Sequence, residues 1–95
     1  MSDILTVLSE TIDRRLSTSD ASTSYTAELA SAGPTRVAQK VGEEGVELAL
    51  AIAMNSRSDA INEAADLIYH VLVALRLRNI TLQEVLDELA RRHAG

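Results

Sequence analysis

The sequence predicts an all-α fold: an antiparallel helical bundle of four principal helices plus a short helix, assembled as an oligomeric helical bundle. Three observations carry this prediction. Apolar residues recur at spacings of three and four, as in Ile4, Leu5, Leu8, Ile12 and Leu16, which is the period of a helix with one buried face. There is no Phe and no Trp, and the only aromatic residues are Tyr25 and Tyr69. The core must therefore be Leu, Ile, Val and Ala, which suits closely packed helices. The breaks between periodic stretches are short, and short connections favour antiparallel neighbours. Assembly follows from size. Ninety-five residues make one domain, 1–95, and a chain of this length buries only roughly 60–65% of its unfolded surface. A hydrophobic content of 46% exceeds what one small shell hides, and a subunit interface takes the excess.

The first helix spans 3–17, with Ser2 or Asp3 as its cap. Arg14 and Arg15, near its end, either complement the helix dipole in solvent or contact an anion. Residues 17–24 are a Ser/Thr-rich polar connector. Ser24 then caps a short helix over 24–31, in which Tyr25 is a packing residue or a ligand contact. Gly33 closes it, and Pro34 suits the first turn of the next helix. That long helix covers about 35–55 and carries Gly42 and Gly45 in its interior. Each costs about 1 kcal/mol of helix propensity relative to Ala, which a close helix approach or room for a ligand would explain. Asn55-Ser-Arg-Ser58 interrupts the period, and Ser58 or Asp59 caps a stretch running to Leu77 or Arg78. Asn79-Ile80 is a tight connector. Thr81 with Glu84 makes a capping box, and Ile80 with Val85 a hydrophobic staple. The last helix, 82–92, carries Leu82, Val85, Leu86 and Leu89.

The chemistry concentrates in residues 37–70. Glu44 and Glu47 are three apart, as are Glu63 and Asp66, so each pair lies on one helix face. Apolar residues share those faces. Val37, Val41, Glu44, Leu48 and Ala51 fall on one strip; Glu63, Asp66, His70 and Ala74 share another, bordered by Leu67 and Leu77. A small bundle must bury most of such strips. Packing the two together gathers four carboxylates that repel one another, and a cation relieves the repulsion. With no Cys and only His70 and His93 as imidazoles, an oxygen-only cluster suits a hard ion such as Mg²⁺ or Mn²⁺ rather than zinc. Lys40, four before Glu44, reaches either that carboxylate or a substrate phosphate. These residues alone leave three readings: a metallohydrolase, a helical interaction module with an acidic seam, and di-iron or manganese redox chemistry. The last is weakened because no His stands three after Glu44 or Glu47.

Other classes are excluded by composition. The formal charge is −5 and no basic patch is large enough to track a phosphate backbone, so no nucleic acid is expected as partner. Absent cysteine removes disulfides, thiolate nucleophiles and Cys-based zinc sites, and fits a cytoplasmic chain. No run of eighteen apolar residues exists, so no membrane partner is expected, and the start lacks the plan of a signal peptide.

Glu43-Glu44-x-x-Glu47, then fifteen residues, then Glu63-x-x-Asp66 resembles the all-α nucleoside-triphosphate pyrophosphohydrolase superfamily. The longer pattern, Ser24-Tyr25-Thr26-Ala27-x-Leu29, Gly33, Lys40-Val41-Gly42-Glu43-Glu44-x-x-Glu47 and Glu63-x-Ala65-Asp66-Leu67-x-Tyr69-His70, is similar to the phosphoribosyl-ATP pyrophosphohydrolase family in its free-standing form. The resemblance implies Mg²⁺-dependent hydrolysis of phosphoribosyl-ATP to phosphoribosyl-AMP and pyrophosphate, the second step of histidine biosynthesis, by water attack on the α–β phosphoanhydride. It implies Glu44, Glu47, Glu63 and Asp66 as metal ligands, and Glu44, Glu47 and Lys40 as catalytic residues. Lys40, Tyr25 and Thr26 would contact substrate, and Glu43 and His70 would support the ligands from behind. Mn²⁺ would substitute for Mg²⁺, and the assembly would be a homodimer or a higher oligomer. House-cleaning nucleotide pyrophosphohydrolases share the acidic helices and are the nearest alternative. Gly45 departs from the pattern, where Ala would sit more comfortably.

Overall fold

A computed structural model describes residues 3–18 and 24–93. They form five helices: α1 (Ile4–Thr18), α2 (Tyr25–Ala32), α3 (Pro34–Ala53), α4 (Arg57–Leu77) and α5 (Leu82–His93). The all-α prediction holds, and the boundaries fall within three residues of those read from the sequence.

The helix ends explain why. Asp3 caps α1, its carboxylate accepting from the N–H of Leu5 at 3.0 Å; the alternative cap, Ser2, lies outside the described residues, as do 19–23 of the polar connector. Ser24 Oγ accepts from the N–H of Ala27 at 2.9 Å, and Gly33, at φ 98°, closes α2 where a side chain would be strained. Pro34 then opens α3. Both later turns use one device. Asn55 and Asn79 adopt left-handed backbone at φ 55° and 61°. The N–H of Ser56 reaches Ala51 O, and that of Ile80 reaches Leu75 O, each at 2.9 Å. These are Schellman closures with Asn in place of the usual Gly. The first corrects one expectation: α4 is capped by Ser56, not by Ser58 or Asp59. Asp59 instead accepts from Ser56 Oγ at 2.8 Å. Thr81 makes the expected cap on α5, accepting from the N–H of Glu84 at 3.2 Å.

The core joins α1 to α4. Ile12, Leu29, Val37, Leu72 and Val73 are buried together, with Leu8, Leu16, Tyr69, Ala74, Leu77 and Leu82 against them. Arg76 Nε donates to Asp13 Oδ1 at 2.5 Å and ties α4 to α1. The closest partnership is the antiparallel hairpin of α3 and α4, as the short connector predicted. On α3 the strip is as expected: Val37, Glu44 and Ala51 are buried. α5 differs. None of its residues is buried, and its Leu82, Val85, Leu86 and Leu89 face α4 and Leu5 across an apolar cavity of ≈ 280 Å³. Gly42 and Gly45 have nothing within 4 Å of where a Cβ would lie, so no close approach inside the subunit requires them. The outer side of the hairpin leaves Val46, Leu50, Ile52, Met54 and Ile61 more than half exposed. No helix among the described residues is long and apolar enough to cross a membrane.

Candidate metal centre

The α3–α4 hairpin builds the site. α3 carries Lys40, Glu44 and Glu47 along one side at one-turn spacing, and α4 runs back past them with Glu63 and Asp66. One carboxylate oxygen from each of Glu44, Glu63 and Asp66 lies within 4.8 Å of the others. Glu44 is buried, Glu63 half-buried and Asp66 exposed, so the trio opens from the bundle interior to solvent. Glu44 is only 7% exposed, and Lys40 Nζ stands 3.5 Å from its Oε1. A carboxylate that deep requires such a partner.

Glu63 reports the strain in this cluster. Its Oε2 is out of solvent and has no hydrogen-bond partner. The carboxyl is pushed up to about 7, chiefly by Glu47, whose carboxylate accepts the hydrogen of a protonated Glu63. Burial adds to this, as do the charges of Glu47, Glu44 and Asp66. A buried anionic oxygen without a donor calls for a proton or a cation. Three converging carboxylates with one such oxygen fit a hard divalent cation, and the donor set is all oxygen. Glu47, expected as a fourth member, is exposed and is not among the three converging carboxylates; it and Glu63 line an open cavity of ≈ 380 Å³ with Asp59 and Ser56 at the hairpin turn.

The remaining candidates fall in three positions. Glu43 is exposed and its partners are on its own helix: Gln39 Nε2 donates to it at 3.1 Å, and Arg36 lies at 4.0 Å. His70 is buried. Its Nδ1 donates to the main-chain carbonyl of Asp66 at 2.7 Å, and its Nε2 accepts from the Tyr25 hydroxyl at 2.8 Å. It therefore holds α2 against α4 and makes no bond to the Asp66 carboxylate. Tyr25 is 46% exposed. Burial raises its hydroxyl above the ordinary tyrosine range; Lys40 opposes this, while Tyr69, Glu44 and Glu28 add to it. Thr26 is fully buried, its hydroxyl 2.5 Å from that of Tyr69. It packs in the interior and does not open onto the cluster. Sequence reasoning gives Tyr69 no role in the site. It stacks on Tyr25 and bonds Thr26, and the signal was present, since it is the only other aromatic ring besides histidine.

A family model described as phosphoribosyl-ATP pyrophosphohydrolase matches residues 5–93. Curated relatives agree. The chain is 53% identical over 76 residues to the histidine biosynthesis bifunctional protein HisIE of Salmonella typhi, covering 80% of this chain and 37% of that protein. To the HisIE of Escherichia coli strain K12 it is 51% identical over 74 residues, covering 78% and 36%. To that of Yersinia pestis it is 50% identical over 74 residues, again 78% and 36%. The chain thus spans a little over a third of the length of these bifunctional relatives.

Proposed function

The chain belongs to the phosphoribosyl-ATP pyrophosphohydrolase family, and from that premise we propose that it hydrolyses phosphoribosyl-ATP to phosphoribosyl-AMP and pyrophosphate, the second step of histidine biosynthesis. The observation that carries the proposal is the convergence of Glu44, Glu63 and Asp66 within 4.8 Å, with Lys40 beside them. Those three carboxylates, with Glu47 alongside, are the residues that would hold Mg²⁺ or Mn²⁺. When bound, the cation neutralises non-bridging phosphate oxygens and lowers the pKa of water.

The chain's own residues do the rest. Lys40, beside Glu44 at 3.5 Å, would draw phosphate charge to the cluster. Glu47 is exposed and is not one of the three converging carboxylates, which leaves it open to receive the proton of an attacking water. Water enters at the α phosphorus in line with the departing pyrophosphate, so that the α–β anhydride breaks. No covalent intermediate forms, since no Cys is present and the His70 imidazole is engaged at both ring nitrogens. Tyr25 borders the substrate, and His70 holds the Asp66 stretch of α4 through its main-chain carbonyl.

The active assembly is a homodimer, or a higher oligomer, in the cytoplasm. The apolar surface of Val46, Leu50, Ile52, Met54 and Ile61 on the hairpin supports this, and residues 1–95 act as one domain. Assay of the purified protein with phosphoribosyl-ATP beside dUTP and dCTP tests the reading. Turnover of phosphoribosyl-ATP is expected to dominate. A hundredfold preference for dUTP or dCTP would transfer the chain to nucleotide house-cleaning. An absence of all turnover, with no response to Mg²⁺, would favour the interaction module.

A further inference from the structure

Tyr25 is 46% exposed, yet three contacts hold its ring still. One face stacks on Tyr69, with centroids 6.0 Å apart and planes at 22°. Its hydroxyl is bonded to His70 Nε2 at 2.8 Å, and the imidazole meets the ring edge-on at 5.8 Å. His70 is itself fixed, 6% exposed, edge-on to Tyr69 at 5.2 Å, with Nδ1 on the Asp66 carbonyl at 2.7 Å. A main-chain carbonyl only accepts, so Nδ1 carries a hydrogen. In the neutral imidazole Nε2 is then an acceptor, which the Tyr25 hydroxyl satisfies. With one face on Tyr69 and the hydroxyl held by His70, the open part of Tyr25 is its opposite face. The charges of Lys40 and Glu44 both reach the Tyr25 hydroxyl, so Tyr25 lies near these two residues of the cluster.

We propose that the open face of Tyr25 is a stacking platform for the base of an adenine nucleotide, and that His70 is the positioning residue that holds the platform in place. This rests on the reading that the substrate is an adenine nucleotide. The carboxylates and Lys40 address only phosphate charge, so recognition of the base needs another surface. An aromatic face supplies one, since every base can stack on it. A ring already clamped at its hydroxyl and at one face loses little freedom when the base arrives. A residue that served packing alone would not require its hydroxyl to be held by a buried imidazole while half its surface stayed open.

The test separates base from sugar and phosphate. Binding of AMP and of ribose 5-phosphate is measured by calorimetry in Mg²⁺, together with KM and kcat for phosphoribosyl-ATP. Tyr25→Ala is expected to weaken AMP roughly tenfold, the effect of losing one stacked base, and to leave ribose 5-phosphate unchanged. Tyr25→Phe keeps the ring and loses the clamp, so KM should rise roughly two- to tenfold, as for one lost hydrogen bond, with kcat changing less than KM. His70→Ala should raise KM similarly, and adding Tyr25→Phe to it should cost nothing more, because both changes break one bond. His70→Gln, whose amide oxygen accepts from the tyrosine, should restore much of the loss. Equal weakening of AMP and ribose 5-phosphate by Tyr25→Ala would overturn the proposal, as would an unaltered KM in Tyr25→Phe. Should His70→Ala fail to fold, the two Tyr25 variants carry the test alone. Failure of the wild type to hydrolyse phosphoribosyl-ATP would refute the assigned substrate, while the comparison of AMP with ribose 5-phosphate would still decide the platform.

Discussion

Mg²⁺ should bind the cluster about tenfold more tightly at pH 8 than at pH 6. The perturbation is a change of pH across the titration of Glu63, which the structure pushes up to about 7. A cation binds the ionised carboxylate and displaces the proton. The ionised fraction is roughly one-eleventh at pH 6 and roughly ten-elevenths at pH 8, which gives the tenfold ratio. Without metal the pH trend runs the other way. The folded chain retains a proton on Glu63 that the unfolded chain gives up at about 4.5, so stability falls as pH rises from there to about 7 and levels off above it. Adding Mg²⁺ at a hundred times its Kd should contribute about 2.7 kcal/mol. Calorimetric titration at the two pH values, in buffers of different ionisation enthalpy, reads both affinity and proton release. Glu63→Gln should raise the metal-free melting temperature at pH 8, flatten its pH dependence and weaken Mg²⁺. Equal Mg²⁺ affinity at the two pH values, with no proton released, would refute the coupling of Glu63 to the cation site.

Lys40→Met should lower hydrolytic activity and destabilise the metal-free protein by about 1–3 kcal/mol, the cost of leaving buried Glu44 unpartnered; the thermal shift on adding Mg²⁺ should persist, since Lys40 is no ligand. Glu47→Gln should remove most of that thermal shift and, by removing the largest influence on Glu63, bring the Glu63 titration down, as NMR of its side chain would show. Asn79→Ala should cost about 1 kcal/mol in thermal or denaturant unfolding, because Ala resists the left-handed backbone that closes α4, whereas Asn79→Gly should be neutral or stabilising. Sedimentation should show a dimer or larger species at micromolar concentration; a stable monomer would contradict the assembly drawn from the exposed hairpin surface.

The helices were legible because their signals are local. Ser24, Gly33, Pro34 and Thr81 each fix a boundary through a hydrogen bond or a backbone angle within a few residues. The cap of α4 was misread for a reason that is also local but hidden. Ser56, Ser58 and Asp59 are all competent caps, and only the left-handed turn at Asn55 decides among them by delivering Ser56 directly to the start of the helix. The acidic trio was legible from spacing on two helices joined by a short turn. What spacing could not give was depth: Glu44 is buried, Asp66 and Glu47 are exposed, and Glu47 is outside the converging trio. Depth depends on how the helices are rotated against each other, which is a property of their packing. The same limit applies to His70, which touches the carbonyl of Asp66 and the hydroxyl of Tyr25, a contact forty-five residues away in sequence. It applies also to α5, whose apolar period is as clear as any yet leaves no residue buried in the subunit.

On the proposed reading the carboxylates of the α3–α4 hairpin direct cleavage of an α–β phosphoanhydride. Quantifying the first products released from phosphoribosyl-ATP in Mg²⁺, for the wild type and for Glu44→Gln, tests it most directly. One pyrophosphate and one phosphoribosyl-AMP are expected per turnover, with no orthophosphate as primary product, and loss of both in Glu44→Gln. Orthophosphate as the first product, or undiminished turnover in Glu44→Gln, would contradict it.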